Sequence, residues 1–196
     1  MKRLFALLAG PVLAASVWAA AAPPAGAAAA SGSTTCTSNN LAGQVISSNV
    51  NVPAGATCNL SGSDVQGNVS VQGTLVTFGT TTFEKNVSVT GGSFAAANWG
   101  VTIDGNLSFV NPAVYSYNGF WGNYSANEVK GNLSYAIESS TAYPCYQSPL
   151  LYFGGGTKVD GNFNYSDQGT GFAGHLDQGG LNVLRTKTIL MGTGSC

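Results

Sequence analysis

Two carboxylates, Glu84 and Asp104, stand twenty residues apart, with Lys130 and Asp160 further along the chain. If those intervals are turns of a stacked coil, the carboxylates become neighbours on one face. Such a pair can hold a divalent cation or share acid and base work on a glycosidic bond. The competing reading is a solvated polar column in which Asp104 and Asp160 partner Lys130. The single His175, in Gly171-Phe-Ala-Gly-His175-Leu-Asp177, has no Gly-x-Ser-x-Gly elbow to serve and reads as a loop residue. Gly154-Gly-Gly156 runs through Thr157-Lys158 into a strand phrase and opens no helix, which removes a phosphate cradle. No catalytic residue, cofactor or resident metal is expected.

The densest aromatic run is Val114-Tyr-Ser-Tyr-Asn-Gly-Phe-Trp-Gly-Asn-Tyr124. Its rings, Tyr115, Tyr117, Phe120, Trp121 and Tyr124, form a candidate ligand surface, because aromatics beside Asn and Ser stack on sugars and bond their hydroxyls. The alternative is packing, since Phe120-Trp-Gly-Asn123-Tyr-Ser-Ala126 partly copies a phrase that recurs along the whole chain.

That phrase is what must position any such site. It reads Ile46-Ser-Ser-Asn49-Val-Asn-Val52, then Val65-Gln-Gly-Asn68-Val-Ser-Val71 and Phe83-Glu-Lys-Asn86-Val-Ser-Val89. It returns as Ile103-Asp-Gly-Asn106-Leu-Ser-Phe109, Val129-Lys-Gly-Asn132-Leu-Ser-Tyr135 and Val159-Asp-Gly-Asn162-Phe-Asn-Tyr165. The Asn residues are 19, 18, 20, 26 and 30 apart, so a unit of about 18–20 residues carries two longer insertions. The triplet after each Asn alternates apolar with Ser or Asn, the period of a half-buried strand. The Gly-Asn before it is turn chemistry, since both residues tolerate positive φ.

A β-sandwich with Gly-Asn hairpins is the alternative, but hairpins have no need of the same Asn at the same offset. A solenoid does, because equivalent residues of successive coils stack about 4.8 Å apart and Asn amides can bond along the stack. The fold class expected is therefore an all-β, right-handed parallel β-helix, its hand set by the usual crossover rule. Asn49, Asn68, Asn86, Asn106, Asn132 and Asn162 form its ladder, turned inward or set at a corner. The sequons opened by Asn59, Asn68, Asn86, Asn106, Asn123, Asn132 and Asn164 are read as structural by-products of this repeat.

The Gly-Asn-Val/Leu-Ser-Val phrases resemble those of secreted bacterial β-helix repeat proteins. More distantly they are similar to bactofilins, the polymer-forming cytoskeletal β-helices. The resemblance covers about residues 43–166 and carries no catalytic motif. It implies a right-handed β-helix and end-to-end assembly. The chain differs from bactofilins in its leader, its cysteines and its insertions.

Residues 1–30 read as a signal peptide: Lys2 and Arg3, an apolar run from Leu4 to Ala22, then small residues with Pro23 and Pro24. Residues 31–196 form one domain, with no later segment long enough to span a bilayer. Without Lys2 and Arg3 the net charge moves from −1 to −3, which excludes a basic footprint for nucleic acid. Charged residues make up only 8%, about a third of the usual share. The four cysteines favour disulfides in an exported chain. Of three connectivities the preferred one is Cys36–Cys58 with Cys145–Cys196, stapling both ends, with Ser31–Cys58 and Asp177–Cys196 as caps.

The function expected is a secreted, non-enzymatic structural or adhesive β-helix of the cell envelope or extracellular space. Its partners would be other copies of itself, end to end, or a cell-surface polysaccharide. The alternative is a carbohydrate-binding, or less readily polysaccharide-cleaving, protein acting at Glu84/Asp104 or at the aromatic run.

Overall fold

The computed structural model describes residues 32–38, 41–97, 100–113, 116–121, 127–138, 150–154, 156–168 and 176–192, with only the backbone of Ala97 and Trp121. The leader expected over residues 1–30 lies outside them. The described residues form short strands and no helix, arranged as three parallel sheets of eight, six and seven strands. Each coil adds one strand to each sheet, in chain order, which is a parallel β-helix. Three parallel sheets leave no room for the sandwich alternative.

The repeated phrase is the corner into the first sheet, with the strand that follows. That sheet holds Ser33–Thr35, Asn49–Val52, Val69–Val71, Val87–Thr90, Leu107–Val110, Leu133–Ile137, Phe163–Asp167 and Lys187–Met191. The expected triplets stack in register: Val50, Val69, Val87, Leu107, Leu133 and Phe163 in one inward column. Val52, Val71, Val89, Phe109, Tyr135 and Tyr165 form the next. All twelve side chains are buried. The third sheet supplies Ile46, Val65, Phe83, Ile103, Val129 and Val159 to the same core.

The core changes character along the axis. Early coils are filled by Val, and later coils by rings. Phe94 sits 6.1 Å from both Phe83 and Phe120, each edge to face, while Tyr135 stacks 5.4 Å above Tyr165 at an interplanar angle of 6°. Offset and edge contacts of this kind add to burial what a plain apolar contact does not.

The phrase glycine has a different role from the one expected. Gly67, Gly105, Gly131 and Gly161 are not among the residues with positive φ, and the one described non-glycine there is Asn111. They are glycine because coils touch at the corner. A Cβ on Gly131 would lie 2.4 Å from the Gly105 carbonyl oxygen, and one on Gly161 would lie 2.4 Å from that of Gly131. The same backbones are hydrogen-bonded, Gly161 N–H to Gly131 O and Gly131 N–H to Gly105 O, both at 3.0 Å.

The two ends differ. At the start, Thr34 takes the inward register above Val50, its hydroxyl 2.6 Å from that of Ser48. Cys36 and Leu41 are buried there, and a disulfide joins Cys36 to Cys58 in the second sheet. The second expected pair, Cys145–Cys196, lies outside the described residues. At the other end, the described part of the expected cap Asp177–Cys196 continues the coil, with Lys187 in the inward register after Phe163. Leu181–Val183 and Lys187–Met191 add one more rung to the third and first sheets, with Leu184, Ile189, Leu190 and Met191 exposed.

Tyr165 carries a hydroxyl that is buried without a hydrogen-bond partner. Burial, and then the charge of Asp167, pushes its phenol above the ordinary tyrosine range. A group whose folded pKa is raised stabilises the fold below its unfolded pKa and loses that contribution as pH rises through the folded one. Stability should therefore decline above about pH 10. Tyr165→Phe should be at least as stable as the parent at pH 7 in urea unfolding, since it removes an unpaired buried hydroxyl, and should decline less at alkaline pH. A less stable variant with the parental alkaline slope would contradict this.

Candidate functional site

The Asn ladder forms as a chain of hydrogen bonds running from coil to coil. The Asn68 N–H donates to Asn49 Oδ1 at 2.8 Å, and that of Asn86 to Asn68 Oδ1 at 3.3 Å. Asn106 N–H reaches Asn86 Oδ1 at 2.9 Å, Asn132 N–H reaches Asn106 Oδ1 at 2.8 Å, and Asn162 N–H reaches Asn132 Oδ1 at 2.9 Å. In the middle coils the side-chain Nδ2 doubles the contact, as from Asn132 to Asn106 Oδ1 at 3.1 Å. The ladder stands at an outer corner. Asn49 through Asn132 are exposed and Asn162 is half-exposed, so none is turned inward.

The ladder ends on a residue absent from the expected set. Thr186 N–H donates to Asn162 Oδ1 at 3.3 Å. Val183-Leu-Arg-Thr186-Lys-Thr-Ile189 is thus a seventh copy of the phrase, with Thr in the Asn column.

The three outer faces carry different chemistry. On the third sheet, Glu84 follows Phe83 and Asp104 follows Ile103, which are stacked partners. The two carboxylates therefore do occupy equivalent places on neighbouring coils. Asp104 turns to the other side: Lys130 Nζ lies 2.8 Å from its Oδ1. Lys158 Nζ is 2.8 Å from both Glu128 Oε1 and Asp160 Oδ1. The face is an alternating ionic ladder, with Lys158 rather than Lys130 partnering Asp160. The hydrogen bond and charge of Asp104 raise the Lys130 amine, and Asp160 and Glu128 raise that of Lys158. Lys130 and Asp104 are exposed and the other three half-exposed, so salt screens these pairs.

The second sheet faces outward with Tyr117, 60% exposed, and Phe78. Phe120 leaves the expected ligand surface: it is 0% exposed, stacked between Ala96 and Phe153 in the register of the core. The ring alternates with its neighbours along the strand, so it turns inward where Tyr117 turns out. Trp121 closes that strand, and nothing is described of its side chain. Tyr115, Tyr124 and His175 lie outside the described residues.

The first sheet presents the outward column Asn51, Ser70, Ser88, Ser108, Ser134, Asn164 and Thr188. No member is charged, and the next column adds Thr90, Val110, Ala136 and Ser166. Beside the Asn ladder these residues shape a groove of about 450 Å³, lined by Asn49, Asn51, Asn68, Ser70, Asn86 and Ser88 among others.

Sequence reasoning also missed Asn118 and Asn127, which hold the longer coil between Asn106 and Asn132. Both are buried. Asn118 Oδ1 accepts the Phe94 N–H at 3.0 Å, and Asn127 Oδ1 accepts that of Val101 at 2.9 Å.

Comparisons with protein-family models, with curated proteins and with solved structures find no match.

The ladder makes a graded prediction. Asn106→Ala removes two accepted bonds and one donated by its Nδ2, whereas Asn49→Ala removes the bond to Asn68. At about 1 kcal/mol or less for each exposed bond, Asn106→Ala should cost about 1–2 kcal/mol in urea unfolding and Asn49→Ala less than half as much. Equal losses would show that the Asn column matters only for corner conformation.

Proposed function

We propose that this is a secreted structural or adhesive β-helix of the cell envelope or extracellular space, whose uncharged first-sheet face contacts a neutral polymer such as a cell-surface polysaccharide. The observation that carries this reading is the unbroken hydroxyl and amide column from Asn51 to Thr188, with its groove beside the Asn ladder. Hydroxyls and amides repeated at about 4.8 Å suit a partner that is itself a repeating array of donors and acceptors. The ion pairs of the third sheet are already satisfied within the chain, which leaves the first face as the larger unused polar surface.

Secretion is supported by the leader pattern of residues 1–30 and by the Cys36–Cys58 disulfide. Among the described residues no helix is long and apolar enough to cross a membrane. A scaffolding role draws on the same features, since coils that bond to both neighbours make a stiff, elongated support. The exposed Tyr117 favours a second reading, sugar stacking on the second sheet.

Cosedimentation with insoluble polysaccharides (cell wall, cellulose, chitin) tests both. The parent chain should be retained. Ser70→Lys with Ser108→Lys places charges that must be desolvated on contact, and should weaken retention at least about tenfold with unchanged thermal unfolding. Thr82→Lys on the third sheet should leave it intact. Retention lost only in Tyr117→Ala would move the contact to the second sheet, and no retention of the parent would remove the polysaccharide reading.

A further inference from the structure

An asparagine side chain carries an oxygen with two lone pairs and a nitrogen with two N–H donors. Along the ladder the oxygens are occupied within the chain. Asn49 Oδ1 accepts the Asn68 N–H at 2.8 Å, and Asn68 Oδ1 accepts both the N–H and the Nδ2 of Asn86, at 3.3 and 3.2 Å. The side-chain nitrogens are used unevenly. Those of Asn86, Asn106 and Asn132 donate to the coil before, whereas those of Asn49 and Asn68 have no acceptor among the described residues. Both of these amides are exposed, and both line the groove beside the ladder.

That groove is a trough between two columns of the first sheet. Asn49, Asn68 and Asn86 form one wall, Asn51, Ser70 and Ser88 form the other, and the strands at Val50 and Val69 form the floor. The walls stand two residues apart along each strand, about 6.6 Å between backbones. Such a width takes a flat acyl amide edge-on and is too narrow for a sugar ring lying flat. The ladder wall offers N–H donors beside occupied oxygens. The opposite wall offers hydroxyls and the Asn51 amide, which both donate and accept.

We propose that this trough is a subsite for the acetamido groups of an N-acylated amino-sugar polymer. The acyl carbonyl accepts from Nδ2 of Asn49 or Asn68, and the acyl N–H donates to Ser70 or Asn51 across the trough. This inference rests on the polysaccharide reading of the first-sheet face and names the sugar chemistry that the face selects.

Two observations favour this ligand over other glycans. A hydroxyl brings a donor of its own, which finds no free oxygen on Asn68, whereas a carbonyl only accepts and matches a wall of donors. An anionic sugar would lose hydration against a lining that holds no cation to offset the cost.

Cosedimentation of the full oxidised chain with chitin and with cellulose tests the inference, because the two share a backbone and differ in the acetamido group. The chain should bind chitin at least about tenfold more tightly than cellulose. Soluble N-acetylglucosamine oligomers should release it from chitin, and cellulose oligomers of equal length should not. Asn49→Asp and Asn68→Asp each keep an oxygen for the coil that follows and replace the amide donor with a carboxylate, which repels a carbonyl. Each should weaken chitin binding at least about tenfold with an unchanged melting temperature. Asn182→Asp makes the same exchange on the third sheet, beside Lys158, and should bind as the parent does. Equal binding to chitin and cellulose would overturn this inference and leave the polysaccharide reading standing, whereas binding to neither would remove both. A chitin preference that survives Asn49→Asp and Asn68→Asp would overturn the subsite and place the acetamido contact on another face.

Discussion

In a solenoid every residue rests on its own equivalents, about 4.8 Å above and below. Whatever stands at one register must therefore tolerate copies of itself or an exact opposite. This constraint explains the composition of the chain better than any site does. Apolar residues satisfy it, and so does Asn, whose Oδ1 accepts from the next coil while its own N–H is accepted by the previous one, as along Asn86, Asn106 and Asn132. Charges satisfy it best in alternation, as with Asp104 below Lys130 and Glu128 below Lys158, and where Glu84 and Asp104 succeed each other as like charges, Asp104 is held by Lys130. A low content of charged residues follows, because like charges laddered at this spacing repel.

The same constraint decides what could be read from sequence. The first sheet was legible because its corner needs one residue type and its strand alternates strictly, so that the phrase from Asn49 to Asn162 repeats almost unchanged. The second and third sheets were not legible. Third-sheet strands such as Val45–Ile46 are too short to show a period, and second-sheet strands such as Thr74–Phe78 and Ser93–Ala97 are long enough but share no recurring phrase. The seventh copy was hidden by Thr186, and for a physical reason: among the described residues no further coil follows it, so its backbone donates to Asn162 and no side-chain acceptor is required. Asn118 was hidden for the opposite reason, a polar residue at an inward register that makes sense only once the Phe94 N–H it satisfies is known.

Of the candidate site residues, the spacing placed Glu84 and Asp104 correctly on neighbouring coils, yet spacing says nothing of which way a carboxylate turns, and Lys130 claims Asp104. The aromatic run divided by strand parity: Tyr117 faces out and Phe120 faces in. The Gly-Asn pair was read as a turn because glycine has two distinct uses, positive φ and close approach. Gly131 and Gly161 serve the second, where a neighbouring carbonyl occupies the space of a Cβ.

The account depends most on the Asn ladder being a continuous hydrogen-bonded chain at an exposed corner. Amide hydrogen exchange, followed residue by residue by NMR, tests this directly. The backbone N–H groups of Asn68, Asn86, Asn106, Asn132 and Asn162 should exchange as slowly as those within the first-sheet strands, despite their exposed setting, and that of Thr186 at the end of the ladder faster. Rapid exchange at all the Asn positions beside protected strands would show that the corner amides are open to water, and that apolar stacking alone holds the coils in register.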